Sequence, residues 1–381
     1  MDLAEYKAKE LFAQGGLTVK KFVCGDSVEE LLENMKTGGV SYPVVLKAQV
    51  LTGGRGKAGG IKIVENEAEL LEKAPKIFGM DIKGHIVHKL MAIEAADIKR
   101  EFYLSIILDR KEKSPTIIFS PAGGIDIETT AKEHPELIFK IPVHPFVGVN
   151  DYTANYLADK GGMTGDVKKQ FAALLKKIYA LFISNDLTLC EINPLAICEN
   201  DELIAIDGKI TVDDSAVKRH PDLQAYSEAQ PMHPLTREAR DFNFLYIPCD
   251  DTGNIAVMSN GSGMLMSCID LISKAGMKVC SVLDLGGGAT AERIAEAVRI
   301  MLSVPQSKAL FINIFGGITR CDEVAGGIKL AIEKGHATRP VIIRFEGTNK
   351  SAGLEILSGL EGVTYVDGLR EGVVELSKLD L

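Results

Sequence analysis

Three groups of residues have types and spacings that could do chemistry. The first is Lys47 followed by Gly53-Gly54-Arg55-Gly56-Lys57. A strand lysine beside a glycine loop rich in backbone N–H donors can wrap a polyphosphate. This is not a Walker A loop, because Ala58 follows Lys57 and Leu51 stands where the leading glycine would be. The competing reading is a surface hairpin with solvated charges. The second group is Cys190-Glu191-Ile192-Asn193-Pro194 with Ile206-Asp207-Gly208-Lys209. In a strand Glu191 and Asn193 face one side. A turn centred on Asn200 puts Asn193 opposite Asp207 and Glu191 opposite Lys209. Hard oxygen ligands beside a nucleotide suit Mg2+, which takes one or two protein ligands plus phosphate and water. A simple Glu–Lys cross-strand pair explains the pattern less well, because Asp and Asn are depleted in strands. The third group is a series of glycine loops, among them Gly316-Gly317-Ile318-Thr319-Arg320, each followed by a helical pattern whose N-terminal N–H groups form an anion site.

The elements that must carry these residues change character near residue 220. Before it, helical patterns alternate with hairpins. Asp2 and Glu5 fit a capping box for a helix stopping at Gly15-Gly16, and Ser27 with Glu30 repeats the device before Gly38-Gly39. Strands are expected at Pro43–Val50, Ile61–Val64, His85–Met91, Glu101–Leu108 and Thr116–Ser120. A long amphipathic helix follows at Val167–Ile183, then a hairpin of Leu187–Cys198 and Glu202–Val212. Lys218–Arg240, with three prolines, is expected as a linker. After it, four apolar strands (Ile255–Met258, Val282–Leu285, Leu310–Phe315, Val341–Phe345) each run into a glycine loop and a helix, and Val363–Val366 makes a fifth. The first glycines of the four loops lie 25, 30 and 31 residues apart, the length of a βα repeat. That predicts a doubly wound parallel sheet with ligands at the carboxyl ends of its strands. The domains are expected at 1–235 and 236–381.

Composition limits the partners. The chain has 381 residues, a net charge of −9 and 37 glycines. The acidic balance argues against nucleic acid or an anionic membrane as the main partner. No apolar run approaches a membrane span. Seven cysteines without a CxxC pair read as reduced thiols of a cytosol-like compartment, and the N-terminus shows no signal or transit pattern. The expected location is therefore the cytoplasm, or the mitochondrial matrix for a mature chain. His85 and His88 lie three apart in an apparent strand, on opposite faces, and are not expected to be metal ligands. Gly261-x-Gly263 has Met266 in place of the third glycine of a dinucleotide fingerprint, which weakens an oxidoreductase reading although Asp284 closes the next strand. A non-catalytic scaffold is a further alternative.

Taken together, the strings Leu3-x-Glu5-Tyr6-x-Ala8-Lys9, Gly53-Gly54-Arg55-Gly56-Lys57-Ala58-Gly59-Gly60, Glu191-Ile192-Asn193-Pro194-Leu195, Asp207-Gly208-Lys209, Asp284-x-Gly286-Gly287-Gly288 and Asn313-Ile314-Phe315-Gly316-Gly317-Ile318-x-Arg320-Cys321-Asp322 resemble the beta subunit of succinate–CoA ligases over nearly the whole chain. The resemblance implies an α/β protein, with an ATP-grasp N-terminal domain followed by a flavodoxin-like doubly wound domain. It implies nucleotide binding (ATP or GTP) at Lys47, Gly54, Arg55, Gly56 and Glu101, and Mg2+ at Asn193 and Asp207. Glu191 matches the acid that orients a phosphohistidine. Asn260, Gly317, Ile318 and Thr319 match positions facing the carboxylate and phosphoryl group. The phosphorylated histidine and most of the CoA site would belong to an alpha subunit, in a heterodimer or a heterotetramer. The implied reaction is succinate + CoA + NTP giving succinyl-CoA, NDP and phosphate, as in the tricarboxylic acid cycle, with malate as the alternative acid.

Overall fold

The hairpin that carries Glu191, Asn193 and Asp207 forms as its register predicts. Leu195 pairs with Ala205, Ile197 with Leu203 and Glu191 with Lys209, and the Asn193 N–H donates to the Asp207 carbonyl at 3.2 Å. The returning arm is not one strand but two, Leu203–Ala205 and Gly208–Val212, interrupted at Ile206-Asp207. Opposite the break, the register of the Leu187–Cys198 strand against Ile98–Asp109 shifts by one residue between Ile192 and Leu195. Pro194 has no N–H to give the ladder, and such a bulge re-aims the side chains beside it.

The computed structural model describes residues 1–124, 127–230 and 232–379. It divides into two units, Met1–Ala229 and Gln230–Leu381. In the first unit Leu187–Cys198 belongs to a six-stranded antiparallel sheet ordered Leu203–Ala205, Leu187–Cys198, Ile98–Asp109, Ser114–Ser120, Phe139–Pro142, with Gly208–Val212 also pairing to Leu187–Cys198. The helices Glu5–Gln14 and Gly165–Ser184 contribute to its core, where Phe12, Phe102, Phe119 and Phe171 are fully buried. Gly208 lies so close to Phe12 that a Cβ there would sit 2.3 Å from the ring. A four-stranded antiparallel sheet, ordered Phe22–Gly25, Leu90–Glu94, Val44–Ala48, Ile61–Val64, has its own apolar core. Lys47 lies in its Val44–Ala48 strand. The helix Val28–Gly38 in this part is capped as expected, with Ser27 Oγ accepting from the Glu30 N–H and Gly39 in the left-handed conformation.

Three expectations need correction. Asp2 does not cap the first helix. The N-cap is Ala4, Asp2 accepts a hydrogen bond from Thr211 Oγ1, and Glu5 turns inward. The expected strand His85–Met91 is broken, because left-handed Lys83-Gly84 folds Asp81–Ile82 back on His85–Ile86 and the sheet strand starts only at Leu90. The expected linker contains two helices, Pro221–Ala229 and Pro234–Asp241. Both begin at a proline, whose fixed φ suits a first helical position.

In the second unit the sheet order is Leu245–Pro248, Val279–Asp284, Ile255–Ser259, Ala309–Gly316, Val341–Gly347, Val363–Val366. Its five parallel strands run in the flavodoxin-like order 2-1-3-4-5. Leu245–Pro248 adds an antiparallel edge strand that the repeat did not foresee. One face packs against helices Ala291–Leu302 and Cys321–Glu333, the other against Ser262–Lys274 and Leu369–Lys378. Gly347 has φ +93, and a Cβ there would lie 2.3 Å from the Gly316 carbonyl oxygen. Gly347→Ala is therefore expected to cost about 3 kcal/mol through left-handed strain and overpacking together. In thermal unfolding the second unit should melt roughly 6–12 °C lower, and an unchanged melting temperature would contradict the close approach.

Candidate functional site

In the first unit a cleft of about 400 Å³ is lined by the loop Leu51–Lys57 together with Glu5, Glu191, Asn193, Asp207 and Lys209. It brings together the glycine loop of the first group and the hairpin of the second, and Lys47 itself does not line it. The strand register carries Lys47 in from the four-stranded sheet, where it pairs with Ile61 across the glycine hairpin. Arg55 folds back from the loop tip so that Nη1 donates to the Ala48 carbonyl at 3.2 Å.

Five charged groups meet here, of which Glu5, Arg55 and Asp207 line the cleft. Lys47 Nζ lies 2.7 Å from Glu5 Oε1 and 3.6 Å from Asp207 Oδ2. Arg55 Nη1 lies 2.8 Å from Glu5 Oε2, and its Nη2 is 3.4 Å from Asp207 Oδ2. Lys9 is fully buried; its Nζ donates to the Ile206 carbonyl at 2.6 Å and stands 3.9 Å from Glu5. Burial works against every one of these charges, and the neighbours decide the outcome. Burial with the nearby Asp207 pushes the Glu5 carboxyl up despite its cations. Asp207 goes the other way: Lys47, Arg55 and Lys9 outweigh burial and hold it below the usual carboxylate range. Lys47 is raised because Glu5 and Asp207 overcome its desolvation, whereas burial brings Lys9 down to about 8. The cluster therefore keeps an ionised Asp207 beside a protonated Lys47 at neutral pH, the charge pattern that a metal-bound polyphosphate requires.

The other expected residues take distinct places. Gly54 is left-handed, with φ +82, and Gly56 bends the loop so that the Gly59 N–H reaches its carbonyl. Asn193 Oδ1 accepts from the Gly124 N–H at 2.9 Å. Glu191 accepts a 2.9 Å hydrogen bond from the Tyr103 hydroxyl, and burial with this carboxylate pushes the phenol up. Glu101 does not line the cleft. It stands opposite Ala196 on the Ile98–Asp109 strand, close against Gly124. Asp207 and Asn193 both line the cleft, and an ionised carboxylate with an amide oxygen fits Mg2+. Among the described residues no three His, Cys, Asp or Glu side chains form a cage, so a cation here would draw further ligands from phosphate and water.

Sequence reasoning missed Glu5, Lys9 and Tyr103. A signal for the first two existed: they lie at i and i+4 on the helix face that also carries buried Ala8 and Phe12, and charges on an inward face need partners. Tyr103 had none, because its contact with Glu191 depends on strand pairing between distant segments.

In the second unit the strand-end loops lock onto one another. The Asn260 carboxamide is spent on the backbone of Phe315, donating to its carbonyl at 2.8 Å and accepting from its N–H at 3.0 Å. Thr319 is buried, with Oγ1 donating to the Gly286 carbonyl and accepting from the Gly288 N–H, both at 3.0 Å. Asp284 accepts from the Gly286 N–H and from Ser262 Oγ. These three side chains order the glycine loops, and Gly317 and Ile318 are left exposed at the carboxyl end of the sheet. Arg320 pairs with Asp322 at the start of the Cys321–Glu333 helix and holds that carboxyl far below its usual range. All seven cysteines are free, and five are buried. No helix among the described residues is long and apolar enough to cross a membrane.

Comparison with known proteins agrees with this division. An ATP-grasp domain family matches residues 2–197, and a CoA-ligase family matches residues 258–362. The ADP-forming succinate–CoA ligase beta subunit of Rubrobacter xylanophilus is 40% identical over 94% of this chain and 92% of its own. The GDP-forming counterpart of Thermus thermophilus is 41% identical over 94% of each chain. That of Desulfurococcus amylolyticus, ADP-forming, is 40% identical over 100% of this chain and 99% of its own. Among solved structures, an ATP citrate lyase from Methanothrix soehngenii superposes with a TM-score of 0.79 over 99% of both chains at 18% identity, a likeness of fold.

Proposed function

The chain belongs to the family of succinate–CoA ligase beta subunits, and from that premise we propose that it is the nucleotide- and acid-binding half of a two-subunit acid–thiol ligase. The observation that supports this most is that Lys47 and Arg55 both pair with Asp207, at the wall of a cleft that Arg55 and Asp207 line. Lys47 and Arg55 hold phosphate oxygens of ATP or GTP, and the loop around Gly54 and Gly56 closes over them. Glu101 acts at the margin of the nucleotide site. Asn193 and Asp207 hold Mg2+, which when bound offsets the charge of the phosphates. Glu191, kept in place by Tyr103, orients a phosphohistidine carried by an alpha subunit that also supplies most of the CoA site.

In the second domain, residues 236–381 following a first domain of 1–235, Gly317 and Ile318 face succinate and the phosphoryl group. Asn260 and Thr319 set the shape of that loop. Backbone N–H groups at a helix start stabilise the charge that develops on a transferred phosphoryl group. The overall reaction is succinate + CoA + NTP to succinyl-CoA + NDP + phosphate, in the cytoplasm. In the test, the purified full chain is assayed alone and with a histidine-bearing alpha subunit, using ATP and GTP, succinate and malate. Mg-nucleotide binding by the chain alone, with succinyl-CoA formed only after the partner is added, is the expected result. Full turnover by the chain alone would sink the two-subunit reading, and faster turnover with malate would change the acid.

A further inference from the structure

On the nucleotide reading just given, we propose that Glu5 is a positioning residue for the phosphates: it fixes the Arg55 guanidinium and the Lys47 ammonium where phosphate oxygens are received. The loop holds the Arg55 backbone, whose carbonyl accepts from the Gly60 N–H at 2.9 Å, but not its guanidinium. A Cβ on Gly53 would meet nothing within 4 Å, and Gly54 is left-handed. The guanidinium has three anchors: the Ala48 carbonyl, Asp207 and Glu5. Asp207 is on the more open side of the cluster, its side chain 27% exposed against 2% for Glu5. Asp207 is also the group that a bound cation would draw away. Glu5, the less exposed of the two acids, therefore keeps both cations when a bound cation draws Asp207 away.

The helix that carries Glu5 also braces the opposite wall. One turn on, Lys9 donates to the Ile206 carbonyl, the residue before Asp207, and its charge compensates part of the cost of burying Glu5. A glutamine at position 5 would keep one acceptor for Lys47. Its amide would turn N–H donors toward a guanidinium that has donors only, so Arg55 would lose its buried anchor.

The effect of Glu5→Gln should therefore run through Arg55. ADP binding with Mg2+ is measured by calorimetry on the full chain for wild type, E5Q, R55Q and the double variant. Each single change is expected to weaken binding about tenfold or more, the loss of one buried ionic contact. The double variant should bind within about twofold of R55Q, because the two residues act as one unit. Binding by E5Q equal to or tighter than wild type would overturn the proposal. Tighter binding is what removal of a negative charge gives if Arg55 stays in place. Effects of the two changes that multiply would overturn it as well. Thermal unfolding checks the fold, and if E5Q does not fold, Glu5→Asp, which keeps the charge but is too short to serve both cations, runs the same cycle. Failure of the wild-type chain to bind Mg-ADP would remove the nucleotide reading itself, an outcome distinct from additive effects.

Discussion

Replacing Asp207 with Asn is expected to lower succinyl-CoA formation by the reconstituted complex about 100-fold or more, with little change in thermal stability. The carboxylate is ionised because Lys47, Arg55 and Lys9 outweigh its burial. Asparagine preserves the shape and one oxygen but removes the charge that a hard divalent cation needs. The loss of a preorganised electrostatic contact at a transferring phosphoryl group is worth roughly 10²–10³ in rate. The fold should tolerate the change, because Lys47 and Arg55 keep Glu5 as their closer partner. Turnover measured across a Mg2+ titration checks the expectation. A rate within a few-fold of wild type at saturating Mg2+ would mean that Asp207 is not a metal ligand, and would leave the hairpin a structural part.

Lys47→Met should act on stability and on binding at once. The ammonium is 2.7 Å from Glu5 and almost wholly buried. Its removal leaves the buried Glu5 and the half-buried Asp207 to share Arg55 and Lys9. Breaking a buried ion pair by deleting one partner costs about 3 kcal/mol or more, which for a unit of this size lowers the melting temperature by roughly 6–12 °C. Nucleotide affinity should fall with it, since methionine offers the phosphates no charge. A K47M chain with wild-type melting and wild-type Mg-ADP affinity would contradict both roles. Lys47→Arg is not expected to restore function fully, because a planar guanidinium does not fill the place of a compact ammonium.

How much of this site could be read from the chain depends on how local each contact is. The register of the Glu191–Lys209 hairpin follows from one turn near Asn200 and the period-2 pattern on either side, so the pairing of Glu191 with Lys209 and the meeting of Asn193 with Asp207 were legible. So was the succession of parallel strands in the second unit, because each βα repeat carries its own turn glycine. The break at Ile206-Asp207 was not legible: it comes from the partner strand, whose bulge at Asn193-Pro194 displaces the ladder. Asp2 and Glu5 show the same limit. Their spacing satisfies a capping box, yet two distant cations offer Glu5 a stronger partner than the helix N-terminus does, and tertiary contacts override the local preference.

The sequence by itself determined the fold class and the family. It also singled out the glycine loop and the Glu191, Asn193 and Asp207 side chains that line the cleft, since these are local patterns. Only the tertiary structure decided which charges meet. It joined Glu5 and Lys9 from the first helix to Lys47, Arg55 and Asp207, and it gave Asn260 and Thr319 hydrogen bonds that brace the glycine loops. The physical reason is that a buried charge or polar group takes its partner from whatever lies nearest in space, and for these residues that partner is up to some two hundred positions away along the chain.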